Sequence, residues 1–354
     1  MKIGIPVETT SGETRVAMVP GMVTAFTRLE HEVIIQKNAG ANSFISDEEF
    51  EKAGASIVDD AKSLFAGADV IFKVQPPSAD EVKMMKDGAI YMGYLAPLSN
   101  HETLNAMNAK KVTSFATEFI PRISRAQSMD TLSSMATLAG YKAVLISANH
   151  LGKIFPLLMT AAGSIPPATT FVLGAGVAGL QAIATAKRLG SRVEAFDPRP
   201  AVEEQVKSLG ATFVHMEVPE ENVETTGGYA KQQSDAFLIA EQEAIGARLP
   251  KVDVIITTAQ IFGKAAPILI TEEMVKMMRP GSVIIDLAIE GGGNCELAEA
   301  GKTVVKHGVT IVGTLNLPAT LPINGSGMFS KNLLNLFKNI FQNEDRSEER
   351  RVGK

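Results

Sequence analysis

The chain has 354 residues, 45% of them apolar and 21% charged, with a net charge of −5. That length and apolar share suit two domains with sizeable cores, and the lack of a basic stripe excludes nucleic acid as a partner. One cysteine, Cys295, and five scattered histidines offer neither an internal disulfide nor metal-ligand spacing, so no metal site is expected and a reducing compartment fits.

In chain order, Lys2 opens a strand that runs to Pro6, so the N-terminus is not read as a signal peptide. A polar loop covers 8–15, a helix 20–30 and a strand 31–36. Ser46 and Glu49 form a capping box that opens a helix. Strands over 69–74, 89–95 and 112–116 alternate with helices over 80–86 and 101–109, the pattern of a parallel α/β sheet. No phosphate fingerprint occurs here, so residues 1–134, joined by 318–354, are expected to be a companion domain forming one wall of a cleft. The stretch 118–134, EFIPRISRAQSMDTLSS, is rich in side chains that hydrogen-bond. Two readings stay open for it: an interdomain linker, or a ligand-facing loop. A helix over 135–155 then crosses into a second domain, 135–317.

The chain is organised around TTFVLGAGVAGLQAIATAKRLGSRVEAFD, residues 169–197. Its apolar start reads as a buried parallel strand. Gly174, Gly176 and Gly179 give G-x-G-x-x-G, followed by helical periodicity and a C-cap glycine at Gly190. Gly174 permits the tight turn, Gly176 lets a pyrophosphate approach the backbone, and Gly179 lets helix and strand pack closely. The helix N-terminus faces the pyrophosphate. Asp197 ends the next strand, where it can accept from an adenosine ribose. Its charge favours NAD over NADP, although nearby Arg199 is of the type that accommodates a 2′-phosphate. Residues 154–186 carry no charge, but prolines and the fingerprint glycines interrupt the run, arguing against a membrane span.

Beyond it, a helix is expected over 201–209 and a strand over 212–216. The polar stretch 217–234 holds Gly227-Gly228-Tyr229, which suits a lid over a flat ligand. A helix follows over 235–247, then strands over 252–258 and 282–287 around a helix at 271–278, and a last strand over 309–312. An amphipathic helix over 328–341 is expected to return to the first domain. The charged tail 343–354 reads as a frayed, solvated terminus. The expected fold class is α/β: two Rossmann-like parallel-sheet domains flanking a cleft, joined by a long crossover helix.

With these residues in view, the chain resembles the proton-translocating nicotinamide nucleotide transhydrogenases, specifically the NAD(H)-binding domain I of their alpha subunit. The resemblance runs to about Phe341. It is carried by PRISRAQSMD at 121–130, MTAAGSIPPA at 159–168, FVLGAGVAGLQAIATAKRLG at 171–190, TTGGYAK at 225–231 and GSVIIDLAIEGGGNC at 281–295. It implies that Arg122, Gln127, Asp130 and Ser133 hold the nicotinamide and its ribose, with Gln127 reaching towards the partner's cofactor. It places Gly174, Gly176, Val177 and Gly179 on the pyrophosphate turn, Asp197 and Arg199 at the adenosine, and Gly228 and Tyr229 on a mobile lid. The implied reaction is hydride transfer between NADH here and NADP⁺ on a separate domain III. A membrane domain II on another chain couples it to proton movement. A homodimer is implied, cytoplasmic and peripheral on the cytoplasmic face of the inner membrane through partner subunits. The charged tail departs from the family, as does the lack of a membrane span.

Two alternatives are weighed against this. Alanine dehydrogenase shares much of the pattern, and Arg15 and Lys73 match the positions where that family binds pyruvate. Its catalytic histidine, however, falls near Tyr94, a poor proton shuttle at neutral pH. The other alternative is an NAD-sensing module without hydride transfer.

Overall fold

The computed structural model describes residues 1–215, 234–260 and 263–341. They form two compact units, Met1–Met135 with the segment from Pro318, and Ala136–Leu317.

The first unit is built on six strands: β1 (Lys2–Ile5), β2 (Glu32–Gln36), β3 (Ser56–Val58), β4 (Val70–Phe72), β5 (Ile90–Gly93) and β6 (Thr113–Ala116). They lie in the order β3-β2-β1-β4-β5-β6, every pair parallel. Helices α1 (Pro20–Thr27), α2 (Asp47–Lys52), α3 (Ala61–Gly67), α4 (Ala79–Met84) and α5 (His101–Ala109) connect them. Local chemistry sets the helix starts. Ser46 and Glu49 form the expected capping box of α2, Ser78 and Glu81 form another for α4, and Asp60 caps α3. The sequence reading passes over β3 and α3. β3 is a three-residue edge strand, only half-buried, and too short to show a period.

Helix α6 (Thr131–His150) starts four residues earlier than expected and carries the chain into the second unit. Next comes a hairpin, β7 (Leu158–Thr160) with β8 (Gly163–Ile165). The second sheet holds β9 (Thr169–Leu173), β10 (Arg192–Phe196), β11 (Thr212–Phe213), β12 (Val254–Thr257), β13 (Val283–Asp286), β14 (Thr303–Lys306) and β15 (Val309–Val312). Its order is β11-β10-β9-β12-β13-β15-β14, parallel except for β14, an antiparallel edge strand that the sequence reading passes over. Helices α7 (Val177–Arg188), α8 (Glu203–Ser208), α9 (Asp235–Gly246) and α10 (Glu272–Lys276) accompany it. The expected helix at 201–209 is a 3-10 turn, Pro200–Val202, leading into α8.

Both faces of this sheet are covered. Val172, Ile256 and Ile285 pack with Ile183 of α7 on one side. Phe171, Leu173, Ile255 and Ile284 pack with Ile245 of α9 on the other. That double burial is why the strands read as unbroken apolar runs rather than alternating ones.

The last helix of the described residues, α11 (Pro322–Phe341), belongs to the first unit. It begins six residues before the expected start, with proline's fixed φ suited to a first helical position. Phe337 anchors it, with its ring edge-on to Phe26 at 5.2 Å, to Phe72 at 6.2 Å and to His31 at 5.1 Å. No helix among the described residues is long and apolar enough to cross a membrane.

Candidate nucleotide-binding site

β9 pairs with β10 on one side and β12 on the other, so the sheet reverses its winding at the carboxyl end of β9. Ligands of open α/β sheets bind at this kind of switch point. The three fingerprint glycines sit there, and each is fitted differently. Gly174 has φ +96°, the left-handed region that glycine tolerates, and a Cβ on it would lie 2.6 Å from Thr258 Oγ1. A Cβ on Gly179 would lie 1.9 Å from the Gly174 carbonyl oxygen, so only glycine allows this contact. Gly176 faces open space and is the N-cap of α7, which begins at Val177 with no side chain capping it. The early backbone N–H groups of α7 are thus left for an anion.

Asp197 follows β10 and is 5% exposed. Its Oδ2 accepts from Ala175 N at 2.8 Å and Arg199 Nη2 at 3.0 Å. Its Oδ1 accepts from Arg199 N and Nε, both at 2.9 Å. The carboxylate therefore braces the glycine turn as well as lying where a ribose acceptor is expected. Arg199, its ion-pair partner, would have to yield one of these bonds to a ribose hydroxyl. Thr258, just past β12, donates its hydroxyl to the Gly174 carbonyl at 3.0 Å and closes the turn from the other side.

The other expected residues lie in the first unit. Ser124–Met129 forms a 3-10 turn over buried Ala126 and Met129, and it presents exposed Gln127. Arg122 is exposed just before it. Asp130 and Ser133 are brought together: Asp130 Oδ1 accepts from Ser133 N at 2.8 Å and Oδ2 from Ser133 Oγ at 2.6 Å. This arrangement caps the start of α6, a structural duty that the sequence reading did not assign to them. Gly228 and Tyr229 lie outside the described residues.

Three buried polar side chains of the second unit were missed. Asp286 ends β13 and accepts from Thr257 Oγ1, Ala288 N, Asn294 N and Cys295 N. It folds the glycine-rich turn back on itself. Asn294 reaches from that turn to Ala259 N, Ala259 O and Pro267 O, fixing the segment after β12. Glu241 is 4% exposed on α9, on the buried face with Phe237 and Ile245. Burial, and then the charge of Asp197, push its carboxyl up to about 7. The i, i+4, i+8 spacing of these three was a signal available in the sequence, but a glutamate within it reads by default as solvated.

A doubly wound sheet with a glycine turn at its switch point, and an acid ending the neighbouring strand, defines a Rossmann-type α/β protein of the dinucleotide-binding class. The chain belongs to the alanine dehydrogenase/PNT family: the family's N-terminal domain matches residues 4–139 and its C-terminal domain residues 143–351. It is 51% identical to the first part of NAD(P) transhydrogenase subunit alpha from Rhodospirillum rubrum, over 95% of this chain and 89% of that one. The crystal structure of transhydrogenase from Sinorhizobium meliloti superimposes with a TM-score of 0.86 at 43% identity, covering 96% of this chain and 94% of that one. Alanine dehydrogenase is more distant. That of Methanococcus maripaludis is 33% identical, over 91% of this chain and 82% of that one.

Proposed function

We propose that this chain is the NAD(H)-binding component of a proton-translocating transhydrogenase. In this reading it acts with an NADP(H)-binding domain III and a membrane domain II on other chains, which hold it at the cytoplasmic face of the membrane. The similarity to transhydrogenase alpha subunits along nearly the whole chain carries this reading. NADH, when bound, would supply the hydride that NADP⁺ on the partner accepts. The chain's own residues bind and orient. The N–H groups at the start of α7 take the pyrophosphate, Asp197 takes the adenosine ribose, and Arg122, Gln127, Asp130 and Ser133 act at the nicotinamide end. No general acid or base is needed, because no proton moves with the hydride. What the site must supply is approach of the two nicotinamide C4 atoms to about 3–3.5 Å and exclusion of water. Homodimer formation is supported by the β7–β8 hairpin, which exposes Leu157, Leu158, Met159 and Ile165. The test is to mix the chain and NADH with NADP⁺-loaded domain III and follow hydride exchange. No exchange would leave only an NAD-binding module.

Alanine dehydrogenase is the second reading, and the first unit argues against it. Arg15 and Lys73 are buried and already paired. Arg15 Nε and Nη2 donate to Glu13 at 2.7 and 2.6 Å, and Lys73 Nζ donates to Glu8 at 2.9 Å. Burial would raise the Glu13 carboxyl, but the hydrogen bonds and charge of Arg15 outweigh it and hold it at about 2. Burial pushes the Tyr94 hydroxyl up to about 12, far from a proton shuttle. NAD-dependent oxidation of alanine is therefore expected to be absent. Turnover that disappears in Lys73→Ala would overturn this.

Cofactor choice follows from Asp197. NADH is expected to bind at least tenfold more tightly than NADPH, since a 2′-phosphate would meet a carboxylate. Asp197→Ala should narrow that gap, because the carboxylate that would repel the phosphate is gone while the Arg199 guanidinium stays nearby. Equal wild-type affinities in calorimetry would remove Asp197 from the adenosine site.

A further inference from the structure

Gln127 sits on an exposed turn, and its place depends on what holds that turn. The residue after it, Ser128, offers its backbone carbonyl to two side chains of α11. Asn332 Nδ2 donates to it at 2.9 Å and Asn335 Nδ2 at 3.0 Å. Three residues apart, the two amides share one face of the helix. A carbonyl oxygen accepts two hydrogen bonds, so this one is saturated by the pair. Ala126 and Met129 are buried on either side of it.

Asn332 is 6% exposed, and its Oδ1 has no hydrogen-bond partner among the described residues. An unpaired buried acceptor costs stability, and an apolar side chain of similar shape would avoid that cost. Stability alone does not account for an amide at this position. What the amide adds is its bond to Ser128.

We propose that Asn332 and Asn335 are positioning residues for hydride transfer, clamping the Ser128 carbonyl so that Gln127 is held in place. The inference rests on the role given to Gln127 in the transhydrogenase reading. It goes beyond that role by assigning the orientation of Gln127 to α11, about 200 residues away in sequence.

The test uses the full chain with NADP⁺-loaded domain III. Single-turnover transfer, NADH affinity and hydrogen exchange of amides 124–130 are measured for Asn335→Ala, Asn332→Leu and the double variant. Each single variant should slow transfer about tenfold and the double variant more, because small misplacement of reacting atoms is costly. NADH affinity should stay within about twofold of wild type, and the turn's amides should exchange faster. Combined with Gln127→Asn, the losses should be less than additive, since all act through one side chain. A purely structural role would move only the unfolding midpoint. If Asn332→Leu does not fold, the more exposed Asn335→Ala carries the test alone. A wild-type chain that transfers hydride, with variants at its rate, overturns this inference and leaves the function intact. A wild-type chain that transfers none overturns the functional reading and this inference with it.

Discussion

Gln127→Asn should bind NADH within about twofold of wild type and yet transfer hydride to domain III about a hundredfold more slowly. The substitution keeps the amide, so the side chain can still donate and accept at once without placing a charge near the migrating hydride. It removes one methylene and withdraws the amide by about 1 Å, a displacement that costs about two orders of magnitude when it misaligns reacting atoms. Affinity should survive because the fingerprint turn and Asp197 belong to the other unit. Stopped-flow single turnovers paired with equilibrium binding decide the matter. If Gln127 served only local backbone groups, the variant would transfer at the wild-type rate.

Glu241→Gln should be more stable than wild type at pH 8 by up to about 3 kcal/mol, and no different near pH 4.5. The folded protein raises this carboxyl from 4.5 to about 7, chiefly by burial and then by the charge of Asp197. Below about 4.5 the group is protonated whether the chain is folded or not, and it costs nothing. As pH rises from about 4.5 towards 7, the unfolded chain ionises first, so stability is lost across that window and the loss is complete above it. A tenfold change in proton affinity is worth about 1.4 kcal/mol. Glutamine is neutral throughout and escapes the loss. Urea unfolding at the two pH values measures it. An equal difference at both would mean that Glu241 ionises normally in the folded protein.

Much of the fold was legible because its signals are local. The strand, glycine turn, helix, strand and acid from β9 to Asp197 follow one another without a gap, and each carries its own chemistry. The capping box at Ser46 and Glu49 is equally self-contained. Other features depend on partners far away in sequence. The stretch 8–15 reads as a polar loop, yet Glu13 and Arg15 are 4% and 2% exposed because they neutralise each other as a forked pair. β14 is strand only because β15 lies beside it. The exposed apolar residues of β7 and β8 disappear, in sequence, into an uncharged run that has no period. For the site, Gly174 and Gly179 announce themselves, because no other residue fits where they stand. The cap formed by Asp130 and Ser133, and the bonds from Asp197 to Ala175 and Arg199, show that residues expected to touch the nucleotide also hold the backbone. Sequence spacing cannot separate those two duties.

The placement of α11 also orders events in time. The second unit is a single stretch, 136–317, whereas the first is split around it and lacks Phe337 until α11 is made. On a ribosome adding about 5–20 residues per second, the β1–β6 sheet waits roughly 10–40 s for its closing helix while the inserted unit emerges. During that interval Phe26 and Phe72 lack the ring that covers them in the finished protein. The stretch around Ser128 likewise has no anchor until Asn332 and Asn335 emerge. Under the proposed function, the chain therefore gains the groups that would hold a nucleotide's phosphates before it gains those that would pass on a hydride.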